Sequence, residues 1–306
     1  MNLKNFNYKT GVIFLRKIQL SDIRPLFPER KVDSNKGDFG RLLCITGCNR
    51  MPGACALSTL SALRSGVGLL TVATTKQNMQ ILASNLYEAM YLPLEVEENG
   101  CISWDKNKII LQKSILKADT ILIGCGIGLT ENTICLVKNI LKYAECPIIL
   151  DADGLNCIAD CINIIKERTK PLILTPHPGE MARLIKKSVK EVQSDRAMCA
   201  YEFCDKYDAI LVLKGAGTIV QHKKRCLINT TGNPGMSKGG SGDVLAGIIA
   251  SFSAQGLSPY DASYAGVYIH GLAGDLAAEK FSQQAMLSQD IISCLPEAFK
   301  ICLKNT

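Results

Sequence analysis

Two stretches of this chain put acids beside glycines and prolines in patterns suited to phosphate chemistry. Residues 229–252, NTTGNPGMSKGGSGDVLAGIIASF, hold five glycines and a proline in their first fourteen positions, then turn apolar and helix-like. Small residues that open a helix leave backbone amides unpaired, and the positive end of the helix dipole adds to them an anion pocket. Gly239, Gly240, Ser241 and Gly242 fit that description, with Asp243 on the first helical turn. A carboxylate there could take the proton of a hydroxyl as that oxygen attacks phosphorus. It could equally be a simple N-terminal cap, although a cap does not account for the upstream glycines. The stretch is neither a Walker loop nor the dinucleotide-binding glycine fingerprint, since it lacks G-x-x-x-x-G-K-[ST] and does not follow the first strand.

The second stretch, LTPHPGE, holds His177 and Glu180 at the end of a strand-like run, framed by Pro176 and Pro178. Proline stops the strand and fixes the turn, so His177 is presented rigidly for contact with a ligand. Glu180 could reach a metal-bound water beside phosphates, because Mg²⁺ keeps much of its hydration shell. As a first-turn partner of the helix dipole it would be explained equally well. Lys214, Gly215, Ala216, Gly217 and Thr218 end another apolar run, either as a tight hairpin turn or as backbone approaching a nucleotide. IGCGIG, with Gly124, Gly126 and Gly128, is weak by itself. LDADGLN offers Asp151, Asp153 and Asn156 for phosphate, metal or substrate, or for capping. CNRMPGACAL would let Gly53 and Ala54 lie close to a bound ring.

The elements that carry these residues alternate. RLLCIT, GLLTVAT, DTILIG, PIILD, PLILT and AILVLK are short apolar runs, each ending in a Gly, Pro, Asp or His-rich break. Between them lie amphipathic candidates such as ENTICLVKNILKYA and EVQSDRAMCAYEFCDKYD. Continuous apolar strands alternating with helices predict a mainly parallel sheet covered on both faces. The unusual residues follow the strands, at the carboxyl edge where open α/β sheets bind ligands. The last hundred residues read as a hairpin, TIVQ to RCLIN, then helices near 243–255, 259–278 and 289–302. Residues 1–35 read as an irregular N-terminal arm, and 36–306 as one catalytic domain.

Composition narrows the function classes. The chain has 306 residues, 47% hydrophobic and 21% charged, enough for one large core without staples. The net charge of +7 is dispersed and there is a single Trp, so no basic, aromatic-laced stripe points to nucleic acid. Fourteen cysteines without a C-x-x-C pair, against only three histidines, argue against a zinc framework and suit a reducing cytoplasm. The first residues lack the apolar core of a secretory signal, and no apolar run is long enough for a membrane span.

Seven segments in order, KGDFGRLLCITG, MPGACALSTLSALRSGVGLLTVAT, LDADGLN, LTPHPGEMARL, LKGAGT, NPGMSKGGSGDVLAGIIA and GVYIHGLAGDLAA, together resemble the NAD(P)H-hydrate dehydratase family. That resemblance implies a ribokinase-like, three-layer α/β/α sandwich. It implies nucleotide-dependent dehydration of (S)-NADHX or (S)-NADPHX to NADH or NADPH, with ADP, or else ATP, as co-substrate beside Mg²⁺. By the same resemblance Asp243 is the base, and Ala54, Gly126, His177 and Asp243 contact substrate. Lys214 through Thr218 and Gly239 through Gly242 contact the nucleotide, and Glu180 reaches the metal through water. A homotetramer and a separate NAD(P)H-hydrate epimerase for the other epimer are implied too, since the chain lacks room for a fused epimerase domain. The alternative is a related kinase for a thiazole or pyridoxal-type alcohol, which the HPGE turn argues against, because such kinases resemble this chain but carry Asn-x-x-Glu there. Two departures stand out: the family's Gly-Pro-Gly turn is Gly-Cys-Gly here, and Lys238 occupies a place where smaller residues are common, so it could add a phosphate contact.

Overall fold

A computed structural model describes residues 4–8 and 11–303. Its strands are β1 (Lys4–Tyr8), β2 (Gly11–Lys17), β3 (Arg41–Ile45), β4 (Leu69–Thr75), β5 (Met90–Leu94), β6 (Thr120–Ile123), β7 (Ile148–Leu150), β8 (Leu172–Leu174), β9 (Ile210–Leu213), β10 (Ile219–His222) and β11 (Arg225–Ile228). The described residues join them in one sheet, ordered β1-β2-β11-β10-β9-β8-β7-β6-β3-β4-β5. Strands β3 to β9 pair in parallel throughout; only β10 with its two neighbours, and β1 with β2, are antiparallel. The order reverses between β3 and β6, and it is outside the carboxyl ends of such a pair that a crevice opens.

Strand periodicity divides the core in two. Leu42, Cys44 and Val72 face one layer, and Leu43, Ile45 and Ala73 the other, because successive side chains point to opposite faces. The first layer holds helices Pro52–Arg64, Ser241–Ala254, Pro259–Ala285 and Ser288–Leu303. The second holds Trp104–Ile115, Glu131–Tyr143, Pro178–Ile185 and Arg196–Lys206. Both faces are therefore covered, which suits strands that are apolar without a break.

The helix Ser241–Ala254 is central and almost wholly buried. It crosses Pro52–Arg64 so closely that a Cβ on Gly247 would collide with the Ser58 carbonyl. Its Phe252 is fully buried in edge-on contact with Phe27 and Phe299, ring centroids 4.8 and 5.9 Å away. The lead-in is less irregular than expected, since Gly11–Lys17 pairs in parallel with β11 and Phe27 packs on this helix. The stretch read as one amphipathic helix over 191–208 divides into Val189–Ser194 and Arg196–Lys206, with Asp195 capping the second. The expected hairpin is present as β10 and β11.

Candidate active site

The ends of β6, β7 and β9 bring Cys125, Asp151 and Lys214 to Asp243. It occupies the third position of its helix, after Gly240 in left-handed geometry at φ 92°. The amides of Gly239, Gly240, Gly242 and Asp243 have no hydrogen-bond partner among the described residues. Nothing lies within 4 Å of where a Cβ on Gly239 would stand, so the loop borders open space. Unpaired amides at a helix start offer hydrogen bonds and a positive potential to an anion.

The acids come from the neighbouring strand. Asp151 follows β7, is 1% exposed, and accepts hydrogen bonds from the Thr175 hydroxyl at 2.6 Å and the Lys214 ammonium at 2.9 Å. The next residue, Ala152, is held at φ 48°, a conformation that a non-glycine residue adopts only under strain from its surroundings. Cys125 donates to the other Asp151 oxygen at 3.6 Å, and the ligand atoms of Cys125, Asp151 and Asp243 all lie within 4.8 Å of one another. Such a cluster could accept a cation, but Lys214 already supplies one positive charge there. Burial, and next to it the Asp151 charge, raise the Asp243 pKa from 3.8 to about 7; the Cys125 thiol and Lys214 act the other way. Burial and the two acids keep Cys125 a thiol.

Lys214 follows β9 and also lies 3.8 Å from Glu180. Burial alone would lower its pKa, but Asp151 and Glu180 outweigh that and hold it above the ordinary value. A Cβ on Gly242 would stand 3.1 Å from its Nζ, so the strand end and the glycine loop touch. The turn after Lys214 is organised by a residue that sequence reasoning passed over. Arg196 donates to the carbonyls of Lys214 at 3.3 Å, Gly217 at 2.9 Å and Ala216. Its only local signal was a lone arginine opening a helix.

His177 caps the helix Pro178–Ile185. Its Nδ1 accepts the amide protons of Gly179 at 2.9 Å and Glu180 at 3.3 Å, while Glu180 Oε2 accepts the His177 amide proton at 2.8 Å. With Nδ1 as acceptor, the ring proton sits on Nε2, 3.4 Å from Glu180 Oε1. Burial, then Lys214 and Arg183, lower the His177 pKa and keep the ring neutral. Its side chain is nonetheless 51% exposed and open to a ligand. Glu180 is buried, and that burial raises its pKa against the pull of Lys214.

At the reversal of strand order, Gly47 after β3 donates to the Cys125 carbonyl at 2.8 Å. Gly126, at φ 65°, lies against Pro52–Arg64 so that a Cβ there would be 2.7 Å from the Ala54 methyl. Any side chain at 126 would collide with Ala54 and crowd Met51. Lys238 turns away from the loop instead of toward a phosphate. Its Nζ donates to the carbonyls of Gln284, at 2.9 Å, and Met286, where the helix Pro259–Ala285 ends. Behind the loop, His270 lies 3.4 Å from the Ser241 hydroxyl, and burial lowers its pKa to about 4.

A family model described as NAD(P)H-hydrate dehydratase matches residues 42–297. A bifunctional NAD(P)H-hydrate repair enzyme of Thermofilum pendens is 41% identical over 93% of this chain and 54% of its own length. The chain thus spans about half the length of the bifunctional relatives it matches. In Bacillus subtilis, an ADP-dependent (S)-NAD(P)H-hydrate dehydratase is 34% identical over 91% of this chain and 95% of its own. A crystal structure of an ADP/ATP-dependent NAD(P)H-hydrate dehydratase from that organism, grown with ATP and Mg²⁺, superposes with a TM-score of 0.80 at 31% identity, covering 94% of this chain and 98% of the other. A ribokinase-like superfamily protein of Enterococcus faecalis superposes with a TM-score of 0.82 at 29% identity, covering 99% and 100%. The sandwich is ribokinase-like, as the resemblance implied. Matched over most of its length by the family model, and more than 30% identical to these relatives, the chain belongs to the NAD(P)H-hydrate dehydratase family.

Proposed function

We propose that this protein dehydrates (S)-NADHX and (S)-NADPHX to NADH and NADPH at the expense of ADP, releasing AMP and phosphate. The observation that carries this reading is the placement of Asp243, with a pKa of about 7, beside four unpaired amides. A base poised near neutrality both holds an open site for a proton and still drives its transfer. The amides of Gly239, Gly240 and Gly242 hold the nucleotide's terminal phosphates, aided by Ser241 and by the turn from Lys214 to Thr218. Asp243 takes the proton of the substrate's C6 hydroxyl as that oxygen attacks the terminal phosphorus. AMP leaves, and the hydroxyl has become a phosphate ester. The lone pair of the ring nitrogen then expels phosphate, and loss of a ring proton restores the dihydropyridine.

The remaining groups position substrate. Ala54 and Gly126, packed against each other at the strand reversal, contact the nicotinamide ring in this reading. His177 offers its neutral ring from a rigid cap. Mg²⁺ belongs beside the nucleotide phosphates, as the crystallisation of the Bacillus subtilis relative with ATP and Mg²⁺ supports. Glu180, whose Oε2 accepts the His177 amide proton, reaches it through water. Residues 36–306 act as one catalytic domain, in a homotetramer that relies on a separate epimerase for the other epimer. Fourteen free thiols suit the cytoplasm, and no helix among the described residues is long and apolar enough to cross a membrane.

The test is turnover of hydrated NADH with ADP and with ATP, followed by recovery of the reduced-nicotinamide absorbance. Recovery that needs a nucleotide supports the reading. Hydrated cofactor left intact while a thiazole or pyridoxal-type alcohol is phosphorylated would establish the kinase instead.

A further inference from the structure

The glycine loop before Asp243 is braced from behind by the junction between the helices Pro259–Ala285 and Ser288–Leu303. Lys238 Nζ donates to the carbonyls of Gln284, at 2.9 Å, and Met286, and the Ser288 hydroxyl donates to the Gly239 carbonyl at 2.9 Å. A Cβ on Gly235 would stand 2.6 Å from Met286 Sδ and 2.7 Å from the Gln283 carbonyl, so the loop's entry lies directly on the junction. On Gly240 it would meet Leu57 Cδ1 at 2.4 Å and the Ser288 hydroxyl at 3.3 Å. The other side of the loop is open, with nothing within 4 Å of where a Cβ on Gly239 would stand.

Lys238 thus sets its ammonium against carbonyls, although it precedes the unpaired amides of Gly239 and Gly240 by only one and two positions. The last carbonyls of a helix lack intrahelical partners and carry the negative end of its dipole, so they hold a cation. The helix bends to present them. Ser282 stands at φ 68° and ψ 158°, a region that residues other than glycine almost never enter, at a cost of about 1–3 kcal/mol. Such a conformation persists only where its surroundings fix it. The Ala285 amide donates to the Ser282 hydroxyl at 3.3 Å and the Met286 amide to its carbonyl at 3.1 Å. They close one turn after the bend, and the carbonyls at 284 and 286 both reach Lys238.

We propose that Lys238 and Ser288 are positioning residues for the nucleotide. They hold the glycine loop on the helix junction, so that its amides already face the place of the terminal phosphates before a nucleotide arrives. Neither side chain touches phosphate; each acts through the loop backbone. A loop ordered in advance binds more tightly, because no ordering cost is left to meet at binding. The proposal rests on the reading above that the phosphates lie on these amides.

Calorimetric titration of the full chain with ADP tests it without any hydrated cofactor. Lys238 is exposed and Ser288→Ala removes a single oxygen, so both variants should fold. Lys238→Met, which loses a charged donor, should weaken ADP binding about tenfold, and Ser288→Ala, which loses a neutral one, about three- to tenfold. Lys238→Arg, which can donate to both carbonyls, should restore most of the affinity. In turnover the KM for ADP should rise in the first two variants with kcat kept, the sign of binding lost equally in ground and transition states. Variants with lower melting temperatures but wild-type ADP affinity would show a role in folding alone and overturn the proposal. A loss in Lys238→Met with none in Ser288→Ala would assign the ammonium to phosphate directly and overturn it too. A wild-type chain that binds neither ADP nor ATP would overturn the dehydratase reading and the proposal with it, and that outcome needs no variant to be seen.

Discussion

The Lys214 ammonium donates to the Asp151 carboxylate at 2.9 Å across 63 residues of chain. This contact joins the ends of β9 and β7, and it sets one positive charge among Asp151, Glu180 and Asp243. The acids outnumber the cation, so one of them must hold its proton more tightly than in water. Burial, and next to it the Asp151 charge, raises the Asp243 pKa to about 7, and burial raises that of Glu180 as well.

Lys214→Met should therefore act on both stability and chemistry. Asp151 would remain buried without its partner, which costs roughly 3 kcal/mol in urea unfolding. The acid limb of the pH–rate profile should also move to higher pH, because Lys214 lowers the Asp243 pKa. An unchanged limb would show that Lys214 does not sense Asp243.

Asp243→Asn should lower turnover by about 10²–10⁴-fold while nucleotide affinity, read by calorimetry, stays near wild type. The same substitution should stabilise the protein at high pH. The folded carboxyl binds its proton up to about pH 7, against an ordinary value of 3.8. Folding is thus favoured by this group below the lower value and disfavoured as pH rises through the upper one. Asn removes the penalty, worth at most about 4 kcal/mol at pH 8 and less because the site is partly open to water. Thermal melts at pH 8 and pH 4 should show the gain only at pH 8.

Cys125→Ala removes a thiol that donates to the acid cluster. The loss should raise the Asp243 pKa and shift the acid limb of turnover upward, leaving the plateau rate intact. Cys125→Ser, which restores a donor, should bring the limb back. A limb that stays put in the Ala variant would assign the thiol to packing alone.

Arg196→Ala should loosen the turn from Lys214 to Thr218, because three carbonyls lose their charged donor. A KM for nucleotide about tenfold higher, with kcat nearly kept, is the expected signature of a positioning residue. Equal losses in kcat and kcat/KM would instead tie Arg196 to the transition state.

The sequence alone was enough for the parallel sheet, the helix that begins beside Asp243, the presentation of His177 between two prolines and the turn after Lys214. Each of these is local: propensity, capping and proline geometry act between residues a few positions apart. Gly126 and Ala54 were marked by the family resemblance. Tertiary structure alone decided the pairing of Lys214 with Asp151, the place of the Cys125 thiol among the acids, the anchoring of the turn after Lys214 by Arg196 and the turning of Lys238 toward the end of another helix. It also decided that the lead-in strand Gly11–Lys17 lies beside β11, some two hundred positions away. The reason is that charge interaction and desolvation depend on distance through space, which spacing along the chain does not encode.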